Sequence, residues 1–100
     1  MDPLKRFVQL IKEGDYYEAH EVLEEVWFPF RRNEEARYKV IKGFINASVA
    51  FELKRLGREE NAHKVWRNYL KYRPLIKEVD EPIFYEIEEF LDECYARILS

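Results

Sequence analysis

Threonine is absent from this sequence, and glutamine occurs once, at Gln9. Cysteine also occurs once, at Cys94, which excludes an internal disulfide. Its apolar neighbours at helical spacing predict a packed small hydrophobe in a reducing compartment rather than a reactive thiol. No uninterrupted apolar stretch approaches the length of a membrane span, and the N-terminal Met-Asp-Pro-Leu-Lys-Arg-Phe lacks the apolar centre of a signal peptide. The expected location is the cytoplasm, with no membrane partner. Nor is there a long block of one charge. The 17 basic and 20 acidic residues are interspersed, giving a net charge of -3. Basic pairs such as Lys5-Arg6, Arg31-Arg32 and Lys54-Arg55 stand isolated among acidic neighbours, which cancel the field a phosphate backbone needs. A nucleic-acid partner is therefore not expected.

What is present is apolar surface in quantity. Hydrophobic residues make up 47% of the 100-residue chain and aromatic residues 16%, enough to offset chain entropy around a single core. Residues 1–100 thus read as a single all-helical domain. The abundance of Glu, Lys, Arg and Tyr is a bias shared with proteins from hot environments. It concerns the source of the chain, not its activity.

Apolar residues recur at three- and four-residue steps nearly throughout, and no stretch alternates as a half-buried strand does. The pattern predicts an all-α fold, a compact bundle of about five helices with a long central one. Asp2 and Pro3 open helix one, whose stripe is Leu4, Phe7, Val8 and Ile11, and Gly14 stops it. Asp15 caps helix two, which runs to about Phe30 with Pro29 forcing an end or kink. Helix three spans about Glu34 to Leu56, helix four about Arg58 to Tyr72, and helix five starts around Asp80-Glu81-Pro82 and carries Ile87, Leu91 and Cys94. Gly43, Ala47 and Ala50 leave a shallow strip on helix three where another helix can approach closely. A faint internal echo pairs Gly14, Ala19-His20 and Val22 with Gly57, Ala62-His63 and Val65. Two copies do not define a solenoid, so a closed bundle is the expected arrangement.

The most distinctive segment is Tyr16-Tyr17-Glu18-Ala19-His20-Glu21-Val22-Leu23-Glu24-Glu25-Val26-Trp27. On a helix, Ala19, Val22, Leu23, Val26, Trp27 and Phe30 form the apolar arc and Glu18, Glu21 and Glu25 point largely away, with His20 and Glu24 on the edge one turn apart. That spacing lets an imidazole and a carboxylate touch one ion, water or partner group. The His-Glu-x-x-Glu string differs from the zinc-protease signature, which needs a second His where Glu24 stands. A metal would need a further ligand from another helix, for which Glu52 and His63 are the candidates. The alternative is structural: Glu24 fixes the His20 tautomer and the pair sets helix register. Tyr16 and Trp27 flank the pair as pocket walls or as core. Tyr17 and Phe28 lie off the stripe, as if helix one or another subunit covered a second side.

These residues, with Gly43, Ala47 and Ala50 on the following helix and Leu56-Gly57 leading to Ala62, resemble the family catalogued as domain of unknown function 309, small helical proteins of archaea and bacteria. The resemblance implies an all-helical fold and marks His20, Glu21, Glu24, Trp27 and Gly43 as motif positions. Two positions depart from the family's habit, Lys42 where glutamine is frequent and Glu52 where histidine is frequent. The family brings no established reaction, substrate or cofactor, so the cofactor stays unknown. Two functions are consistent with the sequence. One is a non-enzymatic helical module that binds a protein partner or small ligand. The other is a metal-assisted hydrolase in which His20 and Glu24 hold an ion and Glu21 or Glu52 acts as base.

Overall fold

The computed structural model describes residues 2–100. Among them are five helices of ten residues or more, α1 (Pro3–Lys12), α2 (Tyr16–Trp27), α3 (Ala36–Arg55), α4 (Glu59–Tyr72) and α6 (Pro82–Ile98), with a single-turn helix α5 (Ile76–Val79) before the last. No strand occurs among the described residues. The radius of gyration, 12.4 Å, is close to the ~13 Å of a compact chain of this length. The all-α bundle expected from the periodicity is what forms.

Local chemistry sets most boundaries. The Asp2 carboxylate accepts from the Leu4 N–H at 2.7 Å and Pro3 occupies the first turn of α1. Asp15 stands at the start of α2 without such a bond, so its side chain does not cap as the sequence suggests. The α-helical part of α2 also ends earlier than Phe30: Pro29 offers no N–H to the ladder, and residues Phe28–Phe30 tighten into a 3-10 turn, which takes Phe30 off the apolar arc and leaves it exposed against Tyr38. Asn33 Oδ1 accepts from the Glu35 N–H at 2.8 Å just ahead of α3. Between α4 and α6, Pro74 produces a second 3-10 turn, Arg73–Leu75, and α5 closes on Asp80 in the left-handed region, φ 51°.

The internal echo is a repeat of geometry. After α1, the Gly14 N–H donates to the Ile11 carbonyl at 3.0 Å and the Asp15 N–H to the Leu10 carbonyl at 2.9 Å. After α3, Gly57 donates to Lys54 at 3.0 Å and Arg58 to Leu53 at 2.9 Å. Both are Schellman endings, and the left-handed backbone they need is supplied by glycine, φ 82° at Gly14 and 81° at Gly57. The chain thus builds two helical hairpins, α1–α2 and α3–α4, with α2 packed on α3 between them. A Cβ on Gly57 would meet no atom within 4 Å, so only backbone strain opposes it. Gly57→Ala is expected to cost about 1–2 kcal/mol and Gly57→Asn distinctly less, in paired thermal melts.

The last helix turns these hairpins into a closed bundle. α6 presents Phe84, Ile87, Leu91 and Cys94, all buried. The Phe84 ring lies 5.7 Å from that of Phe44 on α3, and Tyr95 stacks on Trp66 of α4 at 4.8 Å. α3 is the central helix, as its wide apolar arc predicts: Val40, Ile41, Phe44, Ile45, Ala47, Ala50 and Phe51 are all buried. Its one buried polar side chain among the described residues, Ser48, donates to the Ile45 carbonyl at 2.8 Å. Three ion pairs fasten α6 and the residue ahead of it from outside, Arg37 to Glu81 and the forked Arg73 to Glu88 and Asp92. Cys94 is buried as a small hydrophobe, and burial pushes its thiol up from the ordinary value.

Candidate functional site

α2 is amphipathic in the register its sequence dictates. Ala19 and Leu23 are fully buried, Glu18, Glu21 and Glu25 face solvent, and His20 and Glu24 lie on the rim with side chains 19% and 46% exposed. The rim geometry defines the imidazole. His20 Nδ1 lies 2.7 Å from the Tyr17 carbonyl oxygen, which can only accept, so Nδ1 carries the hydrogen and donates. Nε2 then faces Glu24 Oε2 at 3.5 Å. In the neutral ring that nitrogen bears a lone pair, and the pair consists of two acceptors turned toward each other. Such an arrangement leaves room for a hydrogen-bond donor shared between them.

The pair opens on a groove of about 480 Å³ along the outer side of α2, walled by Tyr17, Glu21, Glu25, Phe28 and Pro29. The Tyr17 ring stands edge-on to the imidazole at 4.9 Å. Tyr17 and Phe28, 58% and 52% exposed, are therefore not covered by helix one, contrary to one of the two explanations their off-stripe positions suggested. Their off-stripe spacing signals a second side of α2, and the structure has that side open as the groove wall.

The other candidate residues are distributed elsewhere. Tyr16 turns inward, its ring 5.8 Å from that of Phe51, and lines a neighbouring recess with Glu52 instead of the His20 groove. Trp27 packs against the core edge and carries the Lys42 ammonium 4.3 Å over its ring. Gly43 lies against α4, where a Cβ would come within 2.9 Å of Tyr72 Cβ. Both Glu52 oxygens are held by the Arg55 fork, at 2.9 and 2.7 Å. That guanidinium holds the Glu52 carboxyl below the usual carboxylate range, and His20 adds a smaller pull in the same direction. A carboxylate so occupied is a poor base and a poor ligand. His63 sits in the first half of α4 beside Glu59, whose carboxyl is lowered mainly by Lys54 and slightly by His63. Among the described residues, no three His, Cys, Asp or Glu side chains are placed together to hold a metal ion. The structure brings His20, Glu21 and Glu24 together at one groove and leaves Glu52 engaged with Arg55.

A family model described as a domain of unknown function (DUF309) matches residues 4–65, which run from the start of α1 into α4 and include the whole α2 motif. The chain belongs to this family. An uncharacterised protein of Aquifex aeolicus (strain VF5) is 36% identical to it over 74 residues, covering 67% of the chain and 22% of that protein. The chain therefore spans about a fifth of the length of the curated relative it matches. No solved structure matches it. Family membership fixes neither reaction nor ligand, and α6, which closes the bundle, lies outside the matched residues. No helix among the described residues is long and apolar enough to cross a membrane.

Proposed function

We propose that the chain is a non-enzymatic helical binding module, one domain over residues 1–100 acting in the cytoplasm, whose α2 groove receives a Lys- or Arg-bearing segment of a protein partner. The observation that carries this reading is the His20–Glu24 pair, two facing acceptors 3.5 Å apart that a single N–H donor of an ammonium or guanidinium group can satisfy together. Glu21 and Glu25 extend the negative field along the groove, and the exposed Tyr17 ring offers a face to a cation, as the Phe28 ring already does to the Arg31 guanidinium at 4.0 Å. In the Aquifex relative the matched unit is one part of a much longer protein, which accords with use as a module.

A labelled peptide of alternating Arg and Ala tests this by fluorescence anisotropy. Saturable binding that weakens with salt is expected, with affinity falling on the order of tenfold in Glu21→Gln/Glu24→Gln, and a peptide with Glu in place of Arg is expected not to bind. A double variant that binds as well as the unmodified chain would refute the reading.

A second reading, a metal-assisted hydrolase with Glu21 as base, is favoured by the one-turn spacing of an imidazole and a carboxylate. Its mark is different: one zinc or manganese per chain after gentle purification, lost in His20→Ala. That result would replace the module with the hydrolase.

A further inference from the structure

We infer a second site, for a phosphate-type oxyanion, at the far end of α2 where the Phe28–Phe30 turn, α3 and the end of α4 converge. It shares no lining residue with the acidic groove, although Arg31 of this site stacks on Phe28 of the groove wall. A recess of about 210 Å³ lies there between Trp27 and Tyr72, with Lys42 reaching in from α3. Lys42 is half-buried, its ammonium rests on the Trp27 ring, and no carboxylate pairs with it among the described residues. Arg31 is likewise without a carboxylate there. Its guanidinium lies 4.0 Å over the Phe28 ring and spends one N–H on the Phe28 carbonyl, at 2.9 Å, which leaves the remaining donors of the fork.

Of the three cations lining the recess only Lys39 is matched, by Glu34 at 2.9 Å. Three cations against one carboxylate leave two positive charges here, in a chain whose net charge is -3. Asn33 adds a neutral donor: its Oδ1 is taken by the Glu35 N–H, so the side-chain NH2 is left to donate. Two unmatched cations, one of them an arginine fork, together with an amide donor suit a doubly charged tetrahedral oxyanion better than a single carboxylate. The volume is below the ~300 Å³ of sites for drug-sized ligands, which restricts the occupant to phosphate or a small monoester whose body lies between the Trp27 and Tyr72 rings.

Calorimetry and Trp27 fluorescence with two probes, inorganic phosphate and phenyl phosphate, test the site in low salt. Trp66 is buried in the core, so the fluorescence change reports Trp27. Both probes are expected to bind saturably at one per chain, beyond any response to phenol or to sodium chloride at matched ionic strength. Tighter phenyl phosphate assigns the site to monoesters, and equal affinity to free phosphate. Lys42→Gln and Arg31→Gln are each expected to weaken binding on the order of tenfold with unchanged helical circular dichroism. A response no greater than that of chloride would overturn the inference. So would undiminished affinity in either variant; Arg31 is exposed, so its replacement keeps the test alive if Lys42→Gln fails to fold.

Discussion

Phe44→Ala is expected to lower the free energy of unfolding by about 3–5 kcal/mol, the range for deleting a buried phenylalanine and leaving a cavity. The site has no room to collapse. Phe44 is fully buried, and its ring meets Phe7 of α1 at 6.2 Å, Tyr69 of α4 at 6.2 Å and Phe84 of α6 at 5.7 Å. Its ring thereby joins both hairpins to the helix that closes them. Against a total of about 5–15 kcal/mol for an ordinary domain, the loss removes roughly a fifth of the stability at the least. Urea unfolding should show the midpoint falling with the slope preserved. Phe44→Leu, which keeps most of the volume, is expected to cost less than about 1.5 kcal/mol, and Phe28→Ala on the exposed groove within about 0.5 kcal/mol. A Phe44→Ala loss below 1 kcal/mol would mean that α6 does not seat on this ring.

The class of fold and the helix order were legible because α1, α3, α4 and α6 each bury one face or more, and burial prints a three- and four-residue rhythm on the sequence. What was not legible has local causes. Asp15 stands in a cap position, but whether its carboxylate turns to the helix is a rotamer choice that the residue type leaves open. The one-turn α5 falls between two prolines and is too short to carry a period. The recurrence of Gly14 and Gly57 at an offset of 43 was visible, yet its meaning lay in hydrogen bonds: the same Schellman pair of bonds recurs at the same offset. Closure of the bundle by α6 depends on which apolar face meets which. A periodicity shared by every helix cannot specify that.

The candidate site divides along the same line. The rim position of His20 and Glu24 follows from helical spacing alone, and the structure has both side chains partly buried there. Which aromatics wall the groove did not follow. Tyr16 and Tyr17 are adjacent and differ by about 100° around α2, so which of them faces the core depends on how the helix is rotated against its neighbours. Packing of Tyr16 on Phe51 decides it and leaves Tyr17 outside. Glu52 was a reasonable ligand by residue type, and its Arg55 fork, three residues on, was a pairing that the sequence also permitted.

Gly43→Ala sets two magnitudes against each other. In a helix interior the change gains about 1 kcal/mol of propensity. Here the added Cβ would stand 2.9 Å from Tyr72 Cβ and 3.4 Å from Tyr69 Cδ1. The first neighbour is fixed to the α4 backbone and cannot rotate away, so the end of α4 must back off from α3. Overpacking of this kind costs about 1–3 kcal/mol, and the net expectation is a loss of up to about 2 kcal/mol for alanine and about 3 kcal/mol for valine, whose branch finds no space. For a chain of this length each kcal/mol corresponds to about 4–8 °C in Tm, so the two variants should separate clearly in a thermal melt. Tyr69 offers no relief, since its ring is buried and its hydroxyl, without a protein partner among the described residues, is held protonated by that burial. The same displacement moves Tyr72 away from Trp27 and widens the cationic recess, so phosphate affinity should fall along with Tm. An alanine variant that melts higher than the unmodified chain would show that α4 does not lie against Gly43, and the account of this position as a contact point between helices would fail.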